Sequence, residues 1–321
     1  MSGGQARGPV RRSPPLPAIT DLVGRTPLVK IGSLASVPGV WILAKLEYFN
    51  PGGSVKDRAA LQMVLEALAN RRLTAERTLI DSTSGNTGVA YSWIGASLGF
   101  RVALVMPANV SIARKRITAA YGAQLIYSDP MEGSDGAIRL VRQLVKESPD
   151  RYFYPDQYSN EANPLAHYLS TGEEIWQQTA GEVTHLVCGI GTGGTVMGTG
   201  RRLREHRRDI RIIAVEPAEA LHGLEGLKHM PSSIVPAIYR EAELDQKISV
   251  STDEGWDMAD RLLAHEGLLV GRSAGAAMVG ALRVAQQIAS EGGRGTIVTI
   301  FPDRGDRYFE PRPLAPRVRR W

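Results

Sequence analysis

The sequence lacks the features of a disulfide-stapled or membrane-spanning protein. Its 321 residues include one cysteine, Cys188, which excludes an internal disulfide framework and a multi-cysteine metal site. No apolar run reaches the ~18 residues that a membrane-spanning helix needs. The N-terminus has no apolar segment before a small-residue cleavage site. These absences predict a protein of the reducing cytoplasm without a membrane partner.

The formal net charge of +5 is concentrated at the two ends of the chain. Residues 1–18 and 311–321 carry seven arginines and no acid, so the remaining chain has a net charge of −2. Nucleic-acid binding calls for a basic face on the folded domain. We therefore expect no nucleic-acid partner, and we interpret both ends as flexible basic segments.

Between these ends, short β-branched or apolar runs alternate with longer helical stretches. Strands are predicted at residues 41–46, 78–81, 102–106, 124–127, 185–188, 210–215, 267–270 and 296–300. Helices are predicted at residues 57–69, 87–98, 111–121, 133–146, 195–205, 253–265 and 275–289. This alternation predicts an α/β protein with mostly parallel sheets flanked by helices. A break near residues 157–160 predicts two domains, residues 19–157 and 158–310, with the active site between them.

The first motif is NPGGSVKDR at residues 50–58. The Pro-Gly-Gly turn places Lys56 in the first turn of a helix that Ser54 or Asp57 could cap. An amine held where positive charge is disfavoured loses its proton more easily and can then form a Schiff base. The alternative is an ordinary surface lysine.

The second motif is STSGNTG at residues 82–88, between a predicted strand and a predicted helix. Hydroxyl side chains and backbone N–H groups at a helix N-terminus bind anions, here a carboxylate. Asn86 adds a neutral donor. A polar turn with good capping residues is the alternative.

The third motif is GIGTGGT at residues 189–195. Its glycines allow the backbone to close around a phosphate, and Thr192 and Thr195 add hydroxyl donors. Gly189, Gly191 and Gly194 also match G-x-G-x-x-G, with Glu216 about where a ribose-binding acid is expected. This window alone leaves a phosphate cup and a dinucleotide site equally open.

The fourth motif is GRSAG at residues 271–275. It matches the G-x-S-x-G turn of α/β-hydrolases, which place the catalytic histidine after the serine. All six histidines precede Ser273, so the order is wrong for a hydrolase. A serine at a strand end can instead form a hydrogen bond with a ring nitrogen.

Together and in this order, the four motifs resemble the fold-type II pyridoxal-phosphate enzymes, most closely the cysteine synthase and cystathionine β-synthase family. The likeness extends from about Ile19 to Phe309 and includes residues 156–160 (DQYSN) followed by Asn163-Pro164. It implies a two-domain fold similar to the tryptophan synthase β subunit, and a homodimer.

The resemblance also implies residue roles. Lys56 would bind pyridoxal 5'-phosphate covalently and later move the α-proton of the substrate. Asn86 would bond the phenolic oxygen of the cofactor, and Ser273 would meet its pyridine nitrogen. The residues implied for the phosphate are Gly191, Thr192, Gly193, Gly194 and Thr195. The residues implied for the substrate carboxylate are Ser82, Thr83, Thr87 and Gln157.

The implied activity is β-replacement through an aminoacrylate, which makes L-cysteine from O-acetylserine or O-phosphoserine and a sulfide donor. The alternative within the family is cystathionine β-synthase, which joins serine and homocysteine. A distant alternative is a dinucleotide-binding oxidoreductase, which leaves the first two motifs unexplained.

One segment departs from the family pattern. Residues 221–230 (LHGLEGLKHM) place Lys228 and two histidines where small residues are expected. A solvated loop would explain them. The sharper hypothesis is that Lys228, with His222 or His229, neutralises an anionic leaving group, which would favour O-phosphoserine.

Overall fold

The computed structural model describes residues 17–83 and 85–308 and contains two sheets with helices against them. The strands are β1 (Leu28–Lys30), β2 (Val40–Leu46), β3 (Thr78–Ser82), β4 (Arg101–Pro107), β5 (Gln124–Ser128), β6 (Tyr152–Phe153), β7 (His185–Gly189), β8 (Arg211–Pro217), β9 (Gln246–Val250) and β10 (Gly295–Phe301). The α-helices are α1 (Lys56–Ala69), α2 (Asn86–Leu98), α3 (Ile112–Ala120), α4 (Gly133–Glu147), α5 (Ala162–Ala166), α6 (Gly172–Gln178), α7 (Gly194–His206), α8 (Thr252–Glu266) and α9 (Arg272–Ser290). A π-helical segment, His167–Thr171, joins α5 to α6.

The smaller sheet has the strand order β5-β4-β3-β6, and all its strands are parallel. Alternate residues of β3 and β4 enter different cores. Leu79 and Leu104 pack with α1 and α2, whereas Ile80 and Val105 pack with α4. Burial on both faces explains the continuous apolar run of β4 at residues 102–106,.

The larger sheet has the order β1-β2-β10-β7-β8-β9, in which only β1 is antiparallel to its neighbour. Val187 and Val215 face the core formed with α8 and α9. Cys188 and Ala214 face the opposite core, formed with α6 and α7. Cys188 is 2% exposed and packs there as a small buried hydrophobe.

Two predictions about the strands need correction. The strand predicted at residues 41–46 was expected in the first domain, but it corresponds to β2, which pairs with β10 in the larger sheet. The sheets are therefore not divided at residue 157. The strand predicted at residues 267–270 is wrong: Gly267 ends α8 with a φ of +68°, and Val270 makes only an isolated bridge to Arg304.

The parallel strands bring two of the predicted motifs to strand ends. β3 ends at Ser82 and β7 ends at Gly189, and the helices α2 and α7 follow directly. Ligands of such sheets bind at the carboxyl ends of the strands. Among the described residues, none of the helices has the length and apolar character needed to cross a bilayer.

Candidate active site

Lys56 is the first residue of α1, as the sequence predicted. The expected side-chain cap is absent, because Val55 occupies the N-cap position. Ser54 Oγ instead accepts a hydrogen bond from the Lys56 backbone N–H at 3.2 Å. Asp57 accepts from the backbone N–H of Gly52 at 2.6 Å. These bonds fold the Pro-Gly-Gly turn back onto α1 and so fix the start of the helix.

The electrostatics at Lys56 favour a neutral amine. Burial lowers the pKa of Lys56, while the nearby Asp303 and Cys188 act in the opposite direction. Burial disfavours the ammonium form. A larger neutral fraction makes this nitrogen a better nucleophile and a better base.

Lys56 faces a cavity of about 470 Å³, a size typical of small-molecule sites. The first three motifs, Gln157 and the 221–230 loop all contribute residues to its lining, whereas the fourth motif does not. The predicted residues that line it are Lys56, Ser82, Thr83, Asn86, Thr87, Gln157, Gly191, Thr192, His222 and Lys228. Lys56 and the glycine cup, separated by more than a hundred positions in sequence, therefore share one space.

The loop after β3 presents several hydrogen-bond donors to this cavity. Thr83 Oγ1 accepts from the N–H groups of Gly85 and Gly88 at 3.3 and 3.2 Å, so its own hydrogen stays available. Thr87 donates to Gln157 Oε1 at 3.0 Å, which leaves the Gln157 amide hydrogens free to donate. Ser82 Oγ is buried without a hydrogen-bond partner among the described residues. Such a set of unused donors suits a carboxylate.

Asp81 lies directly behind this loop without adding negative charge at neutral pH. Its Oδ1 accepts from the Ser82 backbone N–H at 2.7 Å. Burial raises the pKa of Asp81 to about 8, against the effect of that hydrogen bond and together with the charge of Asp156. A neutral carboxyl does not repel an anion bound by the loop.

The glycine cup is packed too closely for larger side chains. A Cβ atom on Gly191 would overlap the carbonyl oxygen of Gly226, and one on Gly194 would overlap the amide oxygen of Asn163. Gly193 has a φ of +88°, a conformation that L-residues with a side chain rarely adopt. The resulting concave backbone and the Thr192 hydroxyl provide the cradle that a phosphate requires.

A polar cluster that sequence analysis missed lies beside Lys56. Asn86 Nδ2 donates to Asp303 Oδ2 at 2.7 Å, and Asn86 Oδ1 accepts from Arg307 at 2.5 Å. Tyr308 also donates to Asp303. Asp303 Oδ1 is buried and has no hydrogen-bond partner among the described residues. Burial raises the pKa of Asp303. Asn86 belongs to the second motif, but no local motif marks Asp303, Arg307 and Tyr308, because they reach Asn86 only through the fold.

Lys228 occupies the loop that packs against the cup. Its backbone N–H donates to Ile190 O at 2.9 Å, and its ammonium lies 5.2 Å from the centre of the Tyr158 ring. Burial and the charge of His229 lower the pKa of His222, against the charge of Glu219. Burial also lowers the pKa of Lys228, against the charge of Asp135. His222 lines the cavity, but His229 does not.

An ion pair also lies in the cavity lining. Arg114 on α3 forms an ion pair with Glu225 of the 221–230 loop, and both residues line the cavity. Because this arginine is already paired, Lys228 is the better candidate to meet an anionic ligand. Among the described residues, no carboxylate lies within ion-pair distance of Lys228 Nζ.

The remaining predicted residues lie outside the cavity lining. Gly193, Gly194 and Thr195 form the inner part of the cup, and Ser273 is buried near the start of α9. Glu216, the candidate ribose ligand of the dinucleotide hypothesis, pairs with Lys247 at 3.4 Å and does not line the cavity. The glycine pattern therefore lacks the acidic partner that a dinucleotide site needs.

Comparisons with known proteins agree with this geometry. The family model described as "Pyridoxal-phosphate dependent enzyme" matches residues 19–303. A cysteine synthase of Aquifex aeolicus is 52% identical over 294 residues, which cover 91% of this chain and 90% of the relative.

Solved structures give the same result. A cysteine synthase from Entamoeba histolytica superposes with a TM-score of 0.87 at 38% identity, covering 97% of this chain and 93% of the other. An O-acetylserine dependent cystathionine β-synthase from Helicobacter pylori has a TM-score of 0.85 at 34% identity, covering 94% and 100%. The predicted fold class and cofactor are confirmed, and the chain belongs to the pyridoxal-phosphate dependent enzyme family.

Proposed function

We propose that the protein makes L-cysteine from an activated serine and sulfide. The observation that carries this proposal is the shared cavity, in which the Lys56 amine faces both a glycine cup and a loop of unused donors. The cysteine synthase of Aquifex aeolicus, 52% identical, supports the reaction class. Cystathionine β-synthase activity is the less favoured alternative, and a dinucleotide-binding oxidoreductase is not supported.

The residues present fit pyridoxal phosphate. Lys56 would bind the cofactor covalently, residues 191–195 would bind its phosphate, and Asn86 would bond its phenolic oxygen. Ser273 stays the proposed partner of the pyridine nitrogen. When bound, the cofactor supplies an electron sink that lowers the cost of removing the α-proton of an amino acid.

The chain's own residues then have distinct tasks. Ser82, Thr83 and Gln157 would hold the substrate carboxylate, since each has a donor that is unused within the described residues. Lys56 Nζ would accept the α-proton, which its lowered pKa favours,. The same nitrogen would return a proton to the product.

We further propose that Lys228 binds the leaving group. Its ammonium lines the same cavity as the carboxylate loop and lacks a carboxylate partner among the described residues. A phosphate leaving group carries more negative charge than an acetate, so an ammonium beside it favours O-phosphoserine.

A substrate panel tests the reaction. Purified enzyme should form cysteine from O-acetylserine or O-phosphoserine with sulfide, and Lys56→Ala should abolish this activity. Faster formation of cystathionine from serine and homocysteine would instead establish the alternative.

The role of Lys228 is tested by selectivity. Lys228→Met should lower kcat/KM for O-phosphoserine relative to O-acetylserine by about tenfold, the value of one charge-assisted contact. Lys146→Met removes an exposed lysine on α4 and serves as the control. An unchanged selectivity in Lys228→Met would refute the role.

The homodimer and the cytoplasmic location stay proposals based on the resemblance. Sedimentation of the purified protein at several concentrations measures the oligomeric state. A monomer at all concentrations would contradict the proposed dimer.

A further inference from the structure

We propose that Asn163 and His167 orient the two threonine hydroxyls of the glycine cup, so that both hydroxyl hydrogens are directed at the cofactor phosphate. This inference rests on the proposed role of the cup. Neither residue was assigned any role from the sequence beyond a family signature around Asn163. Both lie behind the cup, on the segment from α5 to the π-helix.

The Asn163 side chain has only one orientation that satisfies its surroundings. Its Nδ2 donates to the backbone carbonyl of Gln157 at 2.8 Å, an acceptor that cannot donate in return. The same Nδ2 lies 3.1 Å from Thr192 Oγ1. Thr192 Oγ1 therefore accepts this bond, and its own hydrogen stays available for the cavity, which Thr192 lines,.

The His167 side chain contacts the Thr195 hydroxyl in the way that Asn163 contacts Thr192. The imidazole is 1% exposed. Its Nε2 lies 3.2 Å from Thr195 Oγ1, and its Nδ1 lies 2.9 Å from Thr171 Oγ1. The segment is held tightly against α7, since a Cβ atom on Gly198 would overlap the Pro164 carbonyl oxygen. π-helical turns of this kind are frequent at functional sites.

The hydrogen bonds select one tautomer of His167. Within the described residues, the ring is the only hydrogen-bond partner of the buried Thr171 hydroxyl. If Nδ1 carried the proton, it would donate to Thr171 Oγ1 and leave the Thr171 hydrogen without an acceptor, which is costly in a buried site. If Nε2 carries the proton, Thr171 donates to Nδ1 and Nε2 donates to Thr195. Thr195 can then donate only forward, to an anion in the cup.

The charge of the surroundings keeps this ring neutral. Burial lowers the pKa of His167 to about 3, and the positive charges of Arg58 and Lys56 act in the same direction. The charges of Glu47 and Glu174 act against them. His167 therefore stays a neutral, single-proton donor over the whole range in which the enzyme can be assayed.

The test compares two ligands of the cofactor-free protein, pyridoxal 5'-phosphate and pyridoxal. Only the first presents a phosphate, so the ratio of the two dissociation constants isolates the cup. His167→Leu should reduce this preference by about tenfold, the value of one hydrogen bond to a charged group. His167→Gln should retain most of it, because the glutamine amide offers a donor close to the position of Nε2.

A double-mutant cycle separates positioning from general packing. If His167 acts through Thr195, adding His167→Leu to Thr195→Val should change the preference little further. Additive losses, or equal weakening of both ligands by His167→Leu, would overturn the proposal. Long-range ¹H–¹⁵N correlation spectra of histidine-labelled holoprotein should show His167 protonated at Nε2, and protonation at Nδ1 would also overturn it.

The phosphate role of the cup and the orienting role of His167 predict different outcomes. A wild-type protein that binds both ligands equally would contradict the phosphate role of the cup itself. A wild-type preference for the phosphorylated ligand that survives in His167→Leu would contradict only the orienting role. Thermal unfolding of each cofactor-free variant checks that the fold is intact. Thr171→Val is an isosteric change that removes the hydrogen donated to His167 Nδ1. It should lower the preference for pyridoxal 5'-phosphate over pyridoxal while the imidazole ring stays in place.

Discussion

Replacing Gly191 with alanine tests whether the 221–230 loop and the cup form one rigid site. The new Cβ atom would overlap the backbone oxygen of Gly226, and a backbone group cannot rotate away as a side chain can. The loop that carries Lys228 must therefore move. We expect cofactor binding to weaken by ~1–3 kcal/mol, the usual cost of overpacking, which is roughly a 5- to 150-fold increase in Kd.

Gly189→Ala is the matched control for this experiment. Its Cβ atom would meet the end of the Leu227 side chain at 2.7 Å, and a flexible side chain can adjust. Fluorescence titration of both cofactor-free variants with pyridoxal phosphate measures the two Kd values. If Gly191→Ala binds as tightly as Gly189→Ala, the loop is not held against the cup and the reasoning is refuted.

Three further predictions concern the surroundings of the site. Arg58 bonds both carboxylate oxygens of buried Glu47 at 2.7 and 2.8 Å, so Arg58→Met should lower the free energy of unfolding by ~3–5 kcal/mol; a urea titration showing a loss below ~1 kcal/mol would contradict the importance of this pair. Thr87→Val removes the donor to Gln157 Oε1 and should raise KM for the amino-acid substrate roughly threefold to tenfold with little change in kcat; an unaltered KM would count against the carboxylate role. The pKa of Asp81 is raised to about 8, so its carboxyl becomes negatively charged as the pH rises through that value. KM for the amino-acid substrate should therefore increase above about pH 8 in the wild type but not in Asp81→Asn. Parallel KM–pH profiles of the two proteins would contradict this role of Asp81.

Much of the fold follows from local patterns in the sequence. The apolar runs of β3, β4, β7 and β8 and the helices after them were identified from the alternation of short apolar runs with longer helical stretches, which is typical of parallel sheets covered on both faces. The strand predicted at residues 267–270 failed for a local reason. A run as short as Gly-Leu-Leu-Val is equally compatible with a strand and with the segment after a helix. Here Gly267 adopts the left-handed conformation that ends α8,.

Part of the candidate site could also be predicted from local patterns in the sequence. Lys56, the loop after β3 and the cup are contiguous motifs, so their chemistry can be recognised in short windows. Asp303, Arg307 and His167 reach the site through contacts with residues that are distant in sequence, and single charged residues or histidines carry no local signal. The position of β2 in the larger sheet was missed because strand pairing depends on the path of the chain rather than on composition.

The placement of Lys56 also depends on contacts outside its motif. Trp93 on α2 donates to Asp57 at 3.0 Å, and Arg58 joins α1 to Glu174 on α6 at 2.6 Å. These bonds connect the start of α1 to both halves of the chain. They explain how a lysine on a helix can be held in a fixed position against the cup.

The most direct measurement is the chemical identity of the cofactor attachment site. Purified protein with bound cofactor is reduced with borohydride, digested and analysed by mass spectrometry, so that any lysine bound to pyridoxal phosphate is permanently labelled. We predict one labelled peptide, carrying the pyridoxyl group on Lys56. A label on any other of the seven lysines, or none after reduction of active enzyme, would contradict the central claim.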